Sequence, residues 1–239
     1  LRPNNVFRLP WSFLFYMSRI LLYAPNLIGY VRLLLTVVAF TLCFSRNPPL
    51  FVLLYVICTV LDTVDGTLAR KWHQTSKFGA WLDVVLDCIM RGLLWARVVP
   101  VWGGWIMALE FTTFSCTHAQ VGHWKSGMDS PPWLVRRVMA NNFRTPAGVW
   151  VTASIYFLPL WLYMLNYLPT FYNVSMLLGH LVFVLSIPVF GVLLAIGRAL
   201  GMFCELWYMS AHIRQMLAAD EADSATGNSN SVVADKRSQ

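Results

Sequence analysis

Six runs of apolar sequence, at roughly 25–45, 49–69, 78–99, 100–118, 145–166 and 173–198, are each long enough to cross the ~30 Å hydrocarbon layer of a bilayer as a helix. The chain around them is 57% hydrophobic and only 12% charged, half the charged share of about 25% usual for a soluble domain. These runs predict an all-α integral membrane protein, a six-transmembrane-helix bundle forming one domain over 25–216. Residues 1–24 mix Trp11, Phe13 and Leu14 with Arg8 and Arg19 and are broken by Pro10, the pattern of an amphipathic juxtamembrane helix lying in the interface. No cleavable signal peptide is evident in that stretch. Residues 217–239 are small, polar and free of repeats, which predicts a disordered tail.

Ionisable residues inside such runs are costly and mark function by default. They concentrate in one stretch, Asp62 to Asp87, which reads D-T-V-D-G-T-L-A-R, eight residues, then G-A-W-L-D-V-V-L-D. On a helix Asp62, Asp65, Gly66 and Ala69 share one stripe, and Gly79, Asp83 and Asp87 follow at i, i+4 and i+8 on the next. Two such helices packed together converge four carboxylates. That concentration of negative charge calls for cations, and oxygen-only ligands suit Mg²⁺ or Mn²⁺, held as two ions against a phosphate or pyrophosphate. The competing reading has the acids capping helices or pairing with Arg70, Lys71 and Lys77. Four acids at this spacing favour the metal centre.

Other residues fill in the picture. In P-N-L-I-G-Y-V-R, Pro25 to Arg32, Pro25 is placed to start a helix. Asn26 there is read as its cap, and Arg32 as snorkelling or entering the bundle. Ser76 is positioned to cap the helix carrying Asp83 and Asp87. Arg91, one turn past Asp87, either pairs with an aspartate or meets a second substrate. Glu110 is expected to be buried and hydrogen-bonded within the bundle. Arg144, at the mouth of the fifth run, is a further candidate for a substrate contact. His118 and His123 are spaced too poorly for a metal pair. Pro159 and Pro188 predict kinks in the fifth and sixth runs, and Gly191, Gly197 and Gly201 predict close helix contact, as packing or as a homodimer face. The five cysteines, at 43, 58, 88, 116 and 204, have neither pairing intervals nor neighbouring histidines and read as reduced packing residues.

Basic residues cluster before the first run, after the second, between the fourth and fifth and after the sixth, whereas the alternate loops hold little beyond Arg46 and Arg97. By the positive-inside rule both termini and the acidic end of the bundle face the cytoplasm. The net charge of +7 is accounted for by this rule and by contact with anionic lipid head groups. Aromatic interleaving for base stacking is absent from the basic segments, and no nucleic-acid partner is expected.

The pattern D-x2-D-G-x2-A-R-x8-G-x3-D-x3-D is matched at every fixed position, and it resembles the signature of the CDP-alcohol phosphotransferase family. That resemblance implies a six-helix membrane enzyme that exchanges the CMP of a CDP-linked lipid for the hydroxyl of a small alcohol. It implies that Asp62, Asp65 and Asp83 hold the metals with Asp87, that Asp87 also takes the proton of the attacking alcohol, and that Gly66, Ala69 and Arg70 meet the CDP-lipid. Within the family, the opening Pro25 to Arg32 is similar to that of the phosphatidylinositol synthases. The similarity adds Ala24, Pro25, Asn26, Leu27 and Ser76 to the CDP-lipid contacts, CDP-diacylglycerol and myo-inositol as substrates, and the endoplasmic reticulum as location in a eukaryote. Cys88 stands where those enzymes often carry arginine. Arg91 and Arg144 remain the acceptor candidates. The alternatives are phosphatidylglycerophosphate synthesis, with glycerol 3-phosphate as acceptor, and a non-enzymatic membrane scaffold or transporter.

Overall fold

The computed structural model describes residues 19–119 and 131–236, with side chains described over 19–117 and 131–221. Most of the expected interfacial helix, and the His118 and His123 side chains, lie outside those limits.

The described residues are helical, with no strand among them. The helices are α1 (Ala24–Val38, continued by a π turn at Ala39–Cys43), α2 (Pro48–Lys71), α3 (Lys77–Val98) and α4 (Gly103–Ala119). After these come α5 (Trp133–Phe143), α6 (Pro146–Asn166), α7 (Leu168–Val174), α8 (Met176–Leu185) and α9 (Pro188–Lys236). Four segments are long and apolar enough to cross a membrane: Ala24–Cys43, Pro48–Lys71, Pro146–Asn166 and Pro188–Glu221. The outward faces of these helices are apolar, as at Leu34, Leu53, Val192 and Leu206.

Helix starts follow the local sequence. Proline occupies one of the first two helical positions of α1, α2 and α6, where its missing N–H removes nothing from the ladder. Asn47 accepts from Leu50 N and Thr145 from Gly148 N, capping α2 and α6. Ser76 Oγ accepts from Gly79 N at 2.9 Å, the cap expected for α3. The expected cap at Asn26 is not formed. Tyr23 holds the cap position of α1, and Asn26 Nδ2 instead donates to Ile20 O at 2.6 Å.

Two expectations along the chain need correction. The sixth apolar run does not fold as one helix over 173–198; it breaks at Ser186–Ile187, leaving the ten-residue α8 before the break and α9 after it. Pro188 is the cause, because it disfavours helical backbone at Ile187 and is best accommodated as a first residue. Pro159 does lie inside α6. The tail expected to be disordered from 217 continues α9 to Lys236. Its first part, M-L-A-A-D-E-A, is rich in Ala, Leu, Met and Glu, which favour helix without tertiary support.

Core packing is concentrated away from the acidic stretch. Phe40, Phe44, Phe51, Tyr55, Leu94 and Tyr163 form a buried cluster from α1, α2, α3 and α6. Tyr163 OH donates to Phe44 O at 2.5 Å, and Arg97 Nη1 donates to Phe40 O at 3.0 Å; both serve carbonyls at the end of α1, where the π turn disturbs the regular ladder. α6 lies against α9. A Cβ on Gly197 would stand 2.1 Å from Ser154 Oγ, so the small-residue contact expected of α9 is made with α6. All five cysteines are free.

Candidate active site

α1 packs against both α2 and α3, and the four aspartates of those two helices meet at one point on it. The unexpected member is Arg32. Its side chain is 2% exposed and its two terminal nitrogens each serve two acids. Nη1 lies 3.1 Å from Asp65 Oδ2 and 2.8 Å from Asp83 Oδ1; Nη2 lies 2.9 Å from Asp62 Oδ1 and 2.6 Å from Asp87 Oδ1. Arg32 does not snorkel. At i+8 from Ala24 on α1 it is buried by α2 and α3 and becomes the counter-ion of the tetrad. The clue in the sequence is a lone arginine inside an apolar run.

Asp87 is held from three sides. Besides Arg32, its Oδ2 takes the Tyr156 hydroxyl from α6 and lies 3.3 Å from Arg91 Nη1. The Arg91 guanidinium stacks on the Tyr156 ring, 4.6 Å from its centroid. Tyr156 was not foreseen, since a tyrosine in an apolar helix carries no spacing signal. Arg91 thus pairs with Asp87, one of its two expected roles. Its Nε donates to Glu110 Oε2 at 3.0 Å, and Glu110 Oε1 takes Arg198 Nη2 at 3.3 Å, which satisfies the buried Glu110 as expected.

The tetrad fits a hard divalent cation. One carboxylate oxygen from each of Asp62, Asp83 and Asp87 falls within 4.8 Å of the others. Asp62 Oδ1 is buried without a hydrogen-bond partner, its approach to Arg32 being close in distance but not aligned as a hydrogen bond. Four acids face Arg32 and a share of Arg91, so negative charge is in excess. Oxygen donors, an orphaned buried oxygen and surplus charge are what Mg²⁺ or Mn²⁺ would satisfy. Asp65 lies outside that trio, with its Oδ2 on Arg32.

Beside the tetrad is a cavity of about 200 Å³ lined by Pro25, Asn26, Gly66, Ala69, Arg70 and Ser76, with Asp65 and Asp83 at its inner wall. Six of the expected CDP-lipid contacts therefore line one cavity. A Cβ on Gly79 would meet Asn26 Oδ1 at 2.8 Å, so glycine is what lets α3 close against α1 here. Gly66 has no such crowding; the nearest atom to a Cβ there is Arg70 Nη1 at 3.6 Å. Ala24 touches the cavity only indirectly, its N–H donating to Gln74 Oε1 at 3.1 Å. Leu27 is 44% exposed and does not line it. Gln74 and Thr75 were not foreseen as wall residues.

A second cavity, of about 880 Å³, opens beside Lys77, Thr117 and Phe143 and reaches inward to Arg91, Glu110 and Glu205. Arg144 is exposed in the link from α5 to α6 and lines neither cavity.

A family model for CDP-alcohol phosphatidyltransferase matches residues 22–187. Among curated proteins, "CDP-diacylglycerol--inositol 3-phosphatidyltransferase 1" of Arabidopsis thaliana is 35% identical over 135 residues, covering 51% of this chain and 57% of the relative. The Candida albicans protein named CDP-diacylglycerol--inositol 3-phosphatidyltransferase is 38% identical over 90 residues, 35% of this chain and 39% of its own. A CDP-diacylglycerol--glycerol-3-phosphate 3-phosphatidyltransferase of Pectobacterium atrosepticum is 38% identical over 92 residues, 37% of this chain and 50% of its own. The chain thus spans about half the length of the curated relatives it matches, and no solved structure matches it. With the family model covering well over half of its length and the four aspartates converging in space, this chain belongs to the CDP-alcohol phosphatidyltransferase family.

Proposed function

We propose that this protein transfers the phosphatidyl group of CDP-diacylglycerol to myo-inositol, forming phosphatidylinositol and CMP. The observation that carries the reading is the convergence of Asp62, Asp65, Asp83 and Asp87 beside a cavity walled by Pro25, Asn26, Gly66, Ala69, Arg70 and Ser76. Inositol as acceptor is supported by the names of the Arabidopsis and Candida relatives.

In this reading Gly66 and Ala69 let the cytidine nucleotide approach the backbone of α2, and the Arg70 guanidinium beside Gly66 meets its phosphates. Asn26 and Ser76, lining the same cavity, supply hydrogen bonds. The acceptor enters from the larger cavity, on the Arg91 side of Asp87. Asp87 takes the hydroxyl proton, the hydroxyl oxygen bonds to the phosphatidyl phosphorus, and the bond to CMP breaks. Tyr156, Arg32 and Arg91 hold the Asp87 carboxylate in place for that transfer. No covalent enzyme intermediate is required. Bound among the tetrad oxygens, two Mg²⁺ or Mn²⁺ ions would screen the pyrophosphate and the departing CMP.

The same reading places six spans in the membrane, α3 and α4 joining the four most apolar segments. Both termini and the acidic end face the cytoplasm, at the endoplasmic reticulum in a eukaryotic cell. Purified protein given CDP-diacylglycerol and Mg²⁺ or Mn²⁺ tests the proposal. CMP release should respond to myo-inositol above glycerol 3-phosphate or serine, with phosphatidylinositol as the lipid product. Release driven best by glycerol 3-phosphate would move the assignment within the family.

A further inference from the structure

Arg91, Glu110 and Glu205, which line the larger cavity, belong to a charge pattern that the aspartate tetrad does not need. From Asp87 it runs through Arg91, Glu110 and Arg198 to Glu205, alternating in sign at every step. Arg91 spends Nη1 on Asp87 and Nε on Glu110. Arg198, 2% exposed behind the cavity, reaches Glu110 at 3.3 Å and Glu205 at 3.0 Å. Asp87 is held by Arg32 as well, and along this pattern both Arg91 and Arg198 are already engaged by carboxylates. Among the described residues lining the cavity the remaining cation is Lys77, exposed at the mouth, where water and salt screen it.

We propose that Glu110 and Glu205 set acceptor specificity: by occupying Arg91 and Arg198 they close the acceptor cavity to a phosphate-bearing alcohol and leave it open to a neutral polyol. This rests on the phosphatidyl-transfer reading, with the acceptor beside Arg91. A phosphate entering here would lose water while facing Glu110 and Glu205, and it would find no guanidinium fork facing it unengaged. A neutral polyol needs donors and acceptors only, and Thr113 and Thr117 line the same walls. Exclusion by a like charge is an efficient route to specificity, because the wrong partner is penalised without weakening the right one. Glu110 is the stronger determinant, since it engages both arginines.

The test compares wild type, Glu110→Gln, Glu205→Gln and the doubly neutralised Glu110→Gln/Arg198→Gln. Two quantities are read: the ratio of kcat/KM for glycerol 3-phosphate to that for myo-inositol, and inhibition by inorganic phosphate competitive with inositol. Wild type should be indifferent to millimolar phosphate. Glu110→Gln should become phosphate-sensitive and raise the ratio about tenfold or more, equivalent to ~1.4 kcal/mol of differential binding. Glu205→Gln should shift both in the same direction by less, and it carries the test alone should Glu110→Gln not fold. The double variant, which loses one charge of each sign, should return towards wild type. Competition by phosphate in wild type, or an unchanged ratio and phosphate indifference in both single variants, overturns the proposal while leaving inositol as acceptor intact. Should wild type release no CMP with inositol, the acceptor reading falls instead. Specificity is then judged by phosphorus-31 line broadening of inorganic phosphate, which should appear with Glu110→Gln and not with wild type; broadening in both or in neither overturns it.

Discussion

Replacing Arg32 by glutamine tests the electrostatics of the tetrad without touching an acid. The guanidinium lies within 3.1 Å of all four carboxylates and is 2% exposed, so its removal leaves Asp65 and Asp87, themselves largely buried, without their main counter-charge. Removing one partner of a buried pair costs ~3–5 kcal/mol. At ~2–4 °C per kcal/mol for a chain of this size, the melting temperature in EDTA should fall by roughly 6–20 °C. A divalent cation supplies the missing positive charge, so Mn²⁺ should recover most of the loss. A ligand at 100 times its Kd adds ~2.7 kcal/mol. Wild type should gain less from Mn²⁺, because there the cation must compete with Arg32 for the same oxygens. The assay is thermal unfolding of detergent-purified protein followed by tryptophan fluorescence, in EDTA and across a Mn²⁺ titration, with Ca²⁺-free buffers throughout. An Arg32→Gln protein as stable in EDTA as wild type, or equally unresponsive to Mn²⁺, would refute both the counter-ion role and the cation site.

Gly66→Ala separates binding from folding: a Cβ there meets nothing closer than 3.6 Å, so thermal stability should hold or rise by ~0.5–1 kcal/mol while KM for CDP-diacylglycerol increases severalfold. A stable variant with unchanged KM would remove the nucleotide from the α2 wall. Thr75→Cys, in the exposed link between α2 and α3, should react with a membrane-impermeant maleimide only from the cytoplasmic side. Labelling confined to the opposite side would invert the proposed topology.

Legibility in the sequence followed from how local each signal is. Asp62, Asp65, Asp83 and Asp87 are tied together by helical spacing, and the short link from Trp72 to Ser76 keeps the acidic ends of α2 and α3 close, so their convergence was readable, although α1 is the helix that packs against both. So was the cap at Ser76, which depends on three neighbouring residues. Arg32 was visible as an anomaly but not as a partner, because its acids are 30 to 55 residues away and nothing in α1 points to them. Tyr156, Arg198 and Glu205 were lost in apolar runs for the same reason, each meeting the site only through tertiary packing of α6 and α9. A disturbance at Pro188 was readable from the proline itself, but the full break before it was not, because hydropathy is continuous across 173–198 while the backbone is not. Leu27 was assigned from the resemblance and Arg144 from its place at the mouth of a run; Leu27 is exposed on α1 and Arg144 is exposed in the link before α6, so neither lines a cavity.

The central claim, that the four aspartates are the reaction centre of a phosphatidyl transferase, is tested most directly by CMP release from CDP-diacylglycerol by Asp83→Asn in saturating Mg²⁺. Asp83 is the most open of the four, with 42% of its side chain exposed, and it gives one oxygen to the trio that would hold a cation. A neutral amide offers an oxygen without the negative charge that a cation shared among these carboxylates requires. The variant should purify and unfold as wild type does and release no CMP above background; turnover near the wild-type rate would contradict the account.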